Sequence, residues 1–86
     1  MTATINISDI IKSHPLGDKD SYCLYLCRND EWRNHYGYIG GYTDADEIAR
    51  HVYLAMNNPD VLGVWVTIES GDGSKDIDIF KVERGI

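Results

Sequence analysis

The chain has 86 residues, with 14 Asp or Glu against 8 Lys or Arg, so its formal net charge is −6 at pH 7. It is too short for two ordinary domains, and its 43% hydrophobic content is too high for a disordered acidic tail. The acidic balance also excludes a general nucleic-acid binder, which needs basic surface to displace counterions. We therefore predict one domain over residues 1–86 that does not bind nucleic acid directly.

The sequence carries no signal for membrane insertion or secretion. No window approaches the roughly 18 to 20 continuous apolar residues that a membrane-spanning helix needs. The first residues, MTATINISDIIKSHPLG, lack the basic start and apolar run of a secretory signal. We expect a cytoplasmic protein that does not bind membranes.

The N-terminal segment leaves two alternatives open. Ser8 and Asp9 are candidate caps of a short helical turn that His14 and Pro15 would end. The other alternative is a short strand through Ile5 and Ile7.

The next segments predict a pair of strands. Residues 22–28 are rich in β-formers, and a second strand is expected from about residue 33 to residue 42. Strict alternation in the second strand places Tyr36, Tyr38 and Tyr42 on one face, with Gly37, Ile39 and Gly41 on the other.

Residues 43–57 show the clearest helical pattern. Thr43 is a candidate N-cap, and acidic residues fill the first turn, where the helix dipole favours negative charge. Asn57, Asn58 and Pro59 end the pattern. One apolar stripe recurs at spacings of three and four; its members are Ala45, Ile48, Ala49, Val52, Ala55 and Met56.

Two further strands follow the helix. Residues 61–69 alternate cleanly, and residues 70–74 form a hairpin loop. In residues 75–84 the alternation breaks, since Ile77 and Ile79 face one way but Phe80 and Val82 the other, and a β-bulge near Ile79 would reconcile them. The order ββαββ predicts an α+β fold: a four-stranded, mostly antiparallel sheet with the helix on one face.

The second face of this sheet is too apolar to be solvated. One helix should cover the face bearing Leu24, Leu26, Ile39, Val64, Val66 and Ile77. The other face would carry Cys23, Tyr25, Cys27, Tyr36, Tyr38, Tyr42 and Trp65. Three covers are open: residues 1–16 packing there, a second copy, or a partner. A homodimer or partner interface would use Tyr25, Tyr36, Tyr38, Tyr42 and Trp65 as anchors.

No motif in the sequence predicts catalysis, a metal or a cofactor. Cys23 and Cys27 would lie about 13 Å apart on one strand, too far for a disulfide, and are expected to be buried thiols. The three His have no ligand-spaced neighbours. Several acids of residues 72–83 match positions of a calcium-binding loop, but Ile77 stands where that loop requires Gly.

The negative charge predicts a surface for a basic partner. A row of carboxylates on the last hairpin can imitate a phosphate backbone or engage a basic groove, and the simpler alternative is a solvated edge protected by charge. Trp32, in a polar loop, is either a cover for the sheet edge or an anchor for a partner. The candidate partner-binding residues are Glu69, Asp72, Asp76 and Asp78, with Asp30, Glu31 and Trp32 as a second surface.

In size and composition the chain is similar to many small acidic α+β inhibitors encoded by phages and mobile elements, including anti-CRISPR and anti-restriction proteins. That resemblance implies a non-enzymatic inhibitor that occupies a basic site of a nucleic-acid-handling protein complex in the host cytoplasm. The alternative is a structural homodimer or adaptor that associates through the aromatic face of its sheet.

Overall fold

The computed structural model describes residues 6–31 and 33–84, and it has the predicted α+β architecture. The four strands form one antiparallel sheet in the order β2-β1-β3-β4. Trp32 lies outside the described residues, as does Ile5. The elements in chain order are α1 Ile7–Lys12, β1 Asp20–Arg28, β2 Gly37–Tyr42, α2 Ala45–Met56, β3 Val61–Ser70 and β4 Asp76–Glu83.

Helix α2 confirms the predicted helix, with one correction at its start. The N-cap is Asp44 rather than Thr43, because the Asp44 carboxylate accepts a hydrogen bond from the backbone N–H of Asp46. Ile48, Ala49, Val52 and Ala55 of the predicted stripe are buried. Their spacing places them on the side of the helix that faces the sheet.

The described part of the N-terminal segment contains the helix α1, and residues 6–12 do not cover the second face of the sheet. The cap of α1 is Asn6, whose side chain accepts from the backbone N–H of Asp9, rather than Ser8 or Asp9. Ile7 and Ile11 are buried in the same hydrophobic core as α2. The alternative in which this segment packs on the second face is therefore wrong for residues 6–12, because their apolar side chains already belong to the first face.

The register of the sheet confirms one bulge and shows two others that sequence alternation missed. One of these lies at Leu62 of β3, where Cys27 pairs with Gly63 but Arg28 pairs with Val61. The expected irregularity at Ile79 is present, since Val66 pairs with Phe80 and Thr67 with Asp78. The other missed bulge, at Ile39, lies in β2, where Leu24 pairs with Gly40 but Tyr25 pairs with Tyr38.

The β2 bulge changes the predicted facing of Tyr42. An extra residue reverses the alternation, so Tyr42 lies opposite Tyr22 and packs against the core instead of sharing a face with Tyr38. The assignment of Tyr42 to the second face is therefore wrong. Ile39 and Ile77, expected on the helix-covered face, are 45% and 44% exposed, because Ile39 is the bulged residue and Ile77 lies on the outer strand β4.

The buried core lies between the sheet and the two helices. Its sheet side is formed by the side chains of Tyr22, Leu24, Val64, Val66 and Ile68. Cys23 and Cys27 are buried free thiols, as predicted. Among residues 6–31 and 33–84, no helix is long and apolar enough to cross a membrane.

A buried carboxylate joins the end of β1 to the last hairpin. Asp20 accepts hydrogen bonds from the Lys75 ammonium at 2.7 Å, from the Ser70 hydroxyl at 2.7 Å and from the Gly17 backbone N–H at 2.8 Å. These bonds, that of Lys75 most of all, lower the pKa of Asp20 from 3.8 to about 2.

We expect the Asp20 carboxylate to account for part of the fall in the melting temperature at low pH. Because its pKa is lowered by folding, its stabilisation is complete above about pH 4 and is lost as the pH falls towards 2. Asp20→Asn should lower the melting temperature at pH 7 and flatten its fall between pH 4 and 2. Melting curves of the wild type, Asp20→Asn and the exposed loop control Asp18→Asn measure this. Parallel pH profiles for the wild type and Asp20→Asn would contradict it.

Candidate functional site

The sheet face turned away from both helices is the candidate site, called here the open face. Register places Tyr25, Trp65 and Lys81 side by side on it, with Tyr38 opposite Tyr25 on the outer strand. No helix of residues 6–31 and 33–84 packs there, since both belong to the core on the other side. The open face consists of Cys23, Tyr25, Cys27, Tyr36, Tyr38, Gly63, Trp65, Thr67, Glu69, Asp76, Asp78, Lys81 and Glu83.

Four aromatic rings form a continuous chain across the open face. The ring centroids of Tyr38 and Tyr25 are 5.6 Å apart, and those of Tyr25 and Trp65 are 5.0 Å apart. Tyr36 meets Trp65 edge to face at 5.8 Å. Distances in this range are favourable for aromatic pairs, so the rings hold one another in place. Tyr38 at the outer end is 60% exposed.

Three of these rings donate a hydrogen bond to a carboxylate. The Tyr25 hydroxyl donates to Glu69 at 2.5 Å, the Trp65 indole N–H donates to Asp78 at 3.0 Å, and the Tyr36 hydroxyl donates to Glu83 at 2.9 Å. Such bonds to ionised acceptors are stronger than neutral ones. The aromatic chain therefore has fixed negative charge along its margin.

The protonation states of this margin follow from the same contacts. The hydrogen bond to Glu69, followed by burial, raises the pKa of Tyr25, and burial together with the bond to Glu83 raises the pKa of Tyr36. Hydrogen bonds from Tyr25 and Thr67 lower the pKa of Glu69. At neutral pH the phenols therefore remain donors and Glu69 remains ionised.

Burial and the neighbouring Glu69 carboxylate also raise the pKa of the Cys23 thiol to about 11. A thiol with this pKa is almost entirely neutral at pH 7. It is therefore a poor nucleophile, because the thiolate is the reactive form.

Two carboxylates of the open face lie directly opposite each other. Glu69 of β3 pairs with Asp76 of β4, and no cation of the open face lies between them in the strand register. Like charges at directly opposed positions destabilise an antiparallel pair. The two carboxylates concentrate negative charge at this end of the open face, and hydrogen bonds from Tyr25 and Thr67 stabilise that of Glu69.

Lys81 is the only cation on the open face as the structure describes it. Its ammonium lies 4.8 Å from the centroid of the Tyr36 ring and 5.3 Å from that of Trp65, and 3.4 Å from a Glu83 carboxylate oxygen. Four carboxylates share the face with it, those of Glu69, Asp76, Asp78 and Glu83. The open face is therefore aromatic in its middle and negative overall.

The two surfaces predicted separately thus meet in one. Glu69, Asp76 and Asp78 of the acidic set lie beside the predicted aromatic anchors, because the side chains of β3 and β4 alternate onto the open face. Asp72 lies apart, at the hairpin tip, where its carboxylate accepts from the backbone N–H and the hydroxyl of Ser74.

Only part of the predicted second surface, the set of Asp30, Glu31 and Trp32, lies next to the open face. Asp30 and Glu31 are exposed in the loop between β1 and β2. Asp30 lines a groove of about 330 Å³ together with Tyr36 and Tyr38, so it borders the open face. The prediction for Trp32 falls outside the described residues, and Tyr42 stacks with His51 of α2 instead, with centroids 5.0 Å apart.

The predicted site omitted Lys81 and Glu83. Both were visible in the last strand, but their face depends on how the bulge at Ile79 resets the alternation. Glu83 pairs with Gly63 and Lys81 with Trp65, and this register, which the sequence does not show, places both on the open face.

Among residues 6–31 and 33–84, no group of His, Cys, Asp and Glu is arranged to hold a metal ion. Comparisons with protein-family models, with curated proteins and with solved structures found no match to this chain.

The close approach of Tyr36 to the sheet depends on a glycine. A Cβ at position 63 would collide with the Tyr36 hydroxyl, and its nearest ring carbon would be 2.9 Å away. Since the obstructing atoms belong to the end of one side chain, Gly63→Ala should displace that ring rather than unfold the sheet.

We expect Gly63→Ala to move Tyr36 off the open face at little cost to stability. The lost ring pair is worth about 0.5–1.5 kcal/mol, and the stiffer unfolded chain offsets about 0.4–1 kcal/mol of it. NOEs between the Tyr36 ring and the residue 63 backbone should disappear. Gly37→Ala is the matched control, because nothing lies within 4 Å of a Cβ there. Retained NOEs would contradict the prediction.

Proposed function

We propose that this protein is a small non-enzymatic binding protein that acts as an inhibitor, and that its open face occupies a basic site of a nucleic-acid-handling protein complex. The observation that carries the proposal is the alternation of half-buried aromatic rings with carboxylates that accept their hydrogen bonds, beside the exposed ring of Tyr38. Aromatic anchors supply binding energy at protein interfaces, and fixed charge selects a partner of opposite sign.

Charge decides between a basic protein and a nucleic acid as the occupant. Aromatic residues on a sheet also stack bases in single-stranded RNA-binding proteins, but those surfaces neutralise phosphates with Lys and Arg. Here the rings of Tyr25, Tyr36 and Trp65 donate to carboxylates, which would repel a phosphate backbone. The same carboxylates suit a basic protein surface.

Charge also disfavours a second copy as the occupant. In a twofold dimer the same patch meets itself, so four carboxylates would face four with one Lys81 from each copy. Part of that repulsion could be relieved only if each Lys81 paired across the interface. The homodimer is the second candidate function, and its supporting observation is the exposure of Tyr38 beside the uncharged β2 strand GYIGGY.

The inhibitory role is supported by the spacing of the carboxylates along β4. Asp76 and Asp78 lie on alternate positions of the outer strand β4, about 6.8 Å apart by strand geometry. Carboxylates in such a row imitate the charge of a nucleic-acid strand. A protein that presents them to a basic groove competes with the nucleic acid for that groove.

The test captures the partner and then asks where it binds. The immobilised wild type and the variant Asp76→Lys with Asp78→Lys are exposed to lysate of the native host, and retained proteins are identified by mass spectrometry. Each is purified and titrated by calorimetry at 50 and 500 mM NaCl, with and without its nucleic-acid ligand.

Three results together support the proposal. The partner binds only the wild type, salt weakens the binding, and the nucleic acid competes. A partner that binds both proteins equally would contradict it. A dimer of the wild type at micromolar concentration, seen by light scattering and lost in Tyr38→Asp, would favour the homodimer instead.

A further inference from the structure

Lys81 lies in a small enclosure of two rings and one carboxylate, called here the cation cage. Its walls are the Tyr36 ring, the Trp65 ring and the Glu83 carboxylate, at 4.8, 5.3 and 3.4 Å from the ammonium. A cation within about 6 Å of aromatic faces is held by their quadrupoles, and the carboxylate adds a charge pair. The open face therefore already binds one cationic side chain, that of Lys81.

The walls of the cage are held independently of Lys81. Tyr36 lies against Gly63 and donates to Glu83. Trp65 donates to Asp78 and stacks on Tyr25 with centroids 5.0 Å apart. The enclosure should therefore keep its shape when Lys81 leaves.

Lys81 itself is held loosely. Its side chain is 49% exposed, and Glu83, its partner in the ion pair, is 47% exposed. Exposed pairs of this kind contribute little to stability, because solvent screens them and a long side chain loses rotamer freedom. Lys81 can therefore swing into water and leave the cage open to another cation.

We propose that the cation cage receives an arginine side chain of the basic partner, and that Lys81 is an internal placeholder which this arginine displaces. The inference rests on the proposed function for the identity of the partner. The cage chemistry can be tested without that partner.

Arginine fits the cage better than lysine does. A planar guanidinium stacks on aromatic rings and presents paired N–H donors to a carboxylate, whereas an ammonium acts as a point charge. Tyr36 and Trp65 offer the rings, and Glu83 offers an oxygen acceptor beside them. An incoming arginine would therefore gain contacts that Lys81 does not make.

While Lys81 occupies the cage, an arginine cannot bind there. The apparent dissociation constant for arginine is therefore the intrinsic one divided by the fraction of molecules in which the cage is open. If Lys81 fills the cage for about two thirds of the time, its removal tightens arginine binding about threefold. Removing Lys81 should therefore increase the affinity for arginine. The increase should exceed that caused by removing a lysine elsewhere, which makes the same change in net charge.

The test uses Nα-acetyl-arginine methylamide as the probe and Nα-acetyl-citrulline methylamide as its uncharged isostere. Both are titrated at low salt into the millimolar range, and the Trp65 indole signal is followed by NMR. The proteins are the wild type, Lys81→Met, Lys81→Met with Glu83→Gln, and Lys19→Met. Lys19→Met has the same charge change in an exposed loop before β1.

We expect Lys81→Met to bind the arginine probe about threefold tighter than the wild type or Lys19→Met. The citrulline probe should bind at least threefold more weakly than arginine, and Glu83→Gln should remove most of the gain while its amide oxygen still accepts from Tyr36. Equal tightening in Lys19→Met, or equal binding of citrulline, overturns the cage.

The probe titration and the partner-binding test can fail independently of each other. A partner that ignores the open face overturns the proposed function and leaves the probe titration intact. A failed titration overturns the cage even when a basic partner binds the open face.

Discussion

The variant Asp76→Lys with Asp78→Lys is expected to lose at least 100-fold in affinity for the basic partner at low salt. Each substitution turns an attraction into a repulsion, and like charges facing each other across an interface cost several kcal/mol, where 1.4 kcal/mol is tenfold. The fold should survive, because Lys at position 76 would face Glu69 with the opposite charge, and the exposed Trp65–Asp78 hydrogen bond that is lost contributes only about 1 kcal/mol. Calorimetry measures the affinity, and thermal unfolding measures the stability.

The matched control carries the same change in charge on the other side of the molecule. Asp9→Lys with Glu47→Lys places two reversals on α1 and α2, which pack against the opposite face of the sheet. If binding depended only on net charge, both double variants would lose affinity equally. We expect the control to lose less than fivefold at physiological salt, where charges on the far face are screened beyond about 8 Å. Equal losses would contradict a role for the open face.

Ile48→Ala is expected to destabilise the fold by about 2–5 kcal/mol, a large share of the 5–15 kcal/mol typical of a domain. The Ile48 side chain is 0% exposed and belongs to the core between α2 and the sheet. Its truncation removes buried methylenes and leaves a cavity that close packing cannot fill. Urea unfolding followed by circular dichroism measures the loss.

Leu54→Ala is the control for that prediction on the same helix. Leu54 is 63% exposed, so its truncation should change the free energy of unfolding by less than about 0.5 kcal/mol. A loss below 1 kcal/mol for Ile48→Ala would mean that α2 does not enclose its apolar stripe against the sheet.

Much of the fold follows from local patterns. The α2 stripe and the alternation of residues 63–69 predict their own structures, because each pattern matches one backbone period, whereas a bulge at Leu62 breaks the alternation before them. The broken alternation around Ile79 even located a bulge. The failure at β2 has a physical cause as well: Gly40 and Gly41 carry no side chain to mark which face they occupy, so the bulge at Ile39 left no trace in the alternation.

The candidate site was predicted in pieces. The acidic residues Glu69, Asp76 and Asp78 were identified by the charge of the last hairpin, and the ring residues Tyr25 and Trp65 by strand alternation. That these residues share one face of the sheet was not predicted, because the bulge in β4 decides which of its side chains point to that face. The contact between Tyr36 and Gly63 joins positions far apart in the chain, and nothing local to either one predicts it.

The sequence by itself determined an acidic chain with two strands before and two strands after one amphipathic helix, and two thiols that do not pair. Those properties depend on composition and on periodicity within one segment. Only the tertiary structure decided that α1 joins the covered face, that Tyr42 leaves the aromatic surface, and that the acidic hairpin and the rings form one open face with Lys81 in it. Such properties depend on strand register and long-range packing, where a shift of one residue reverses every side chain.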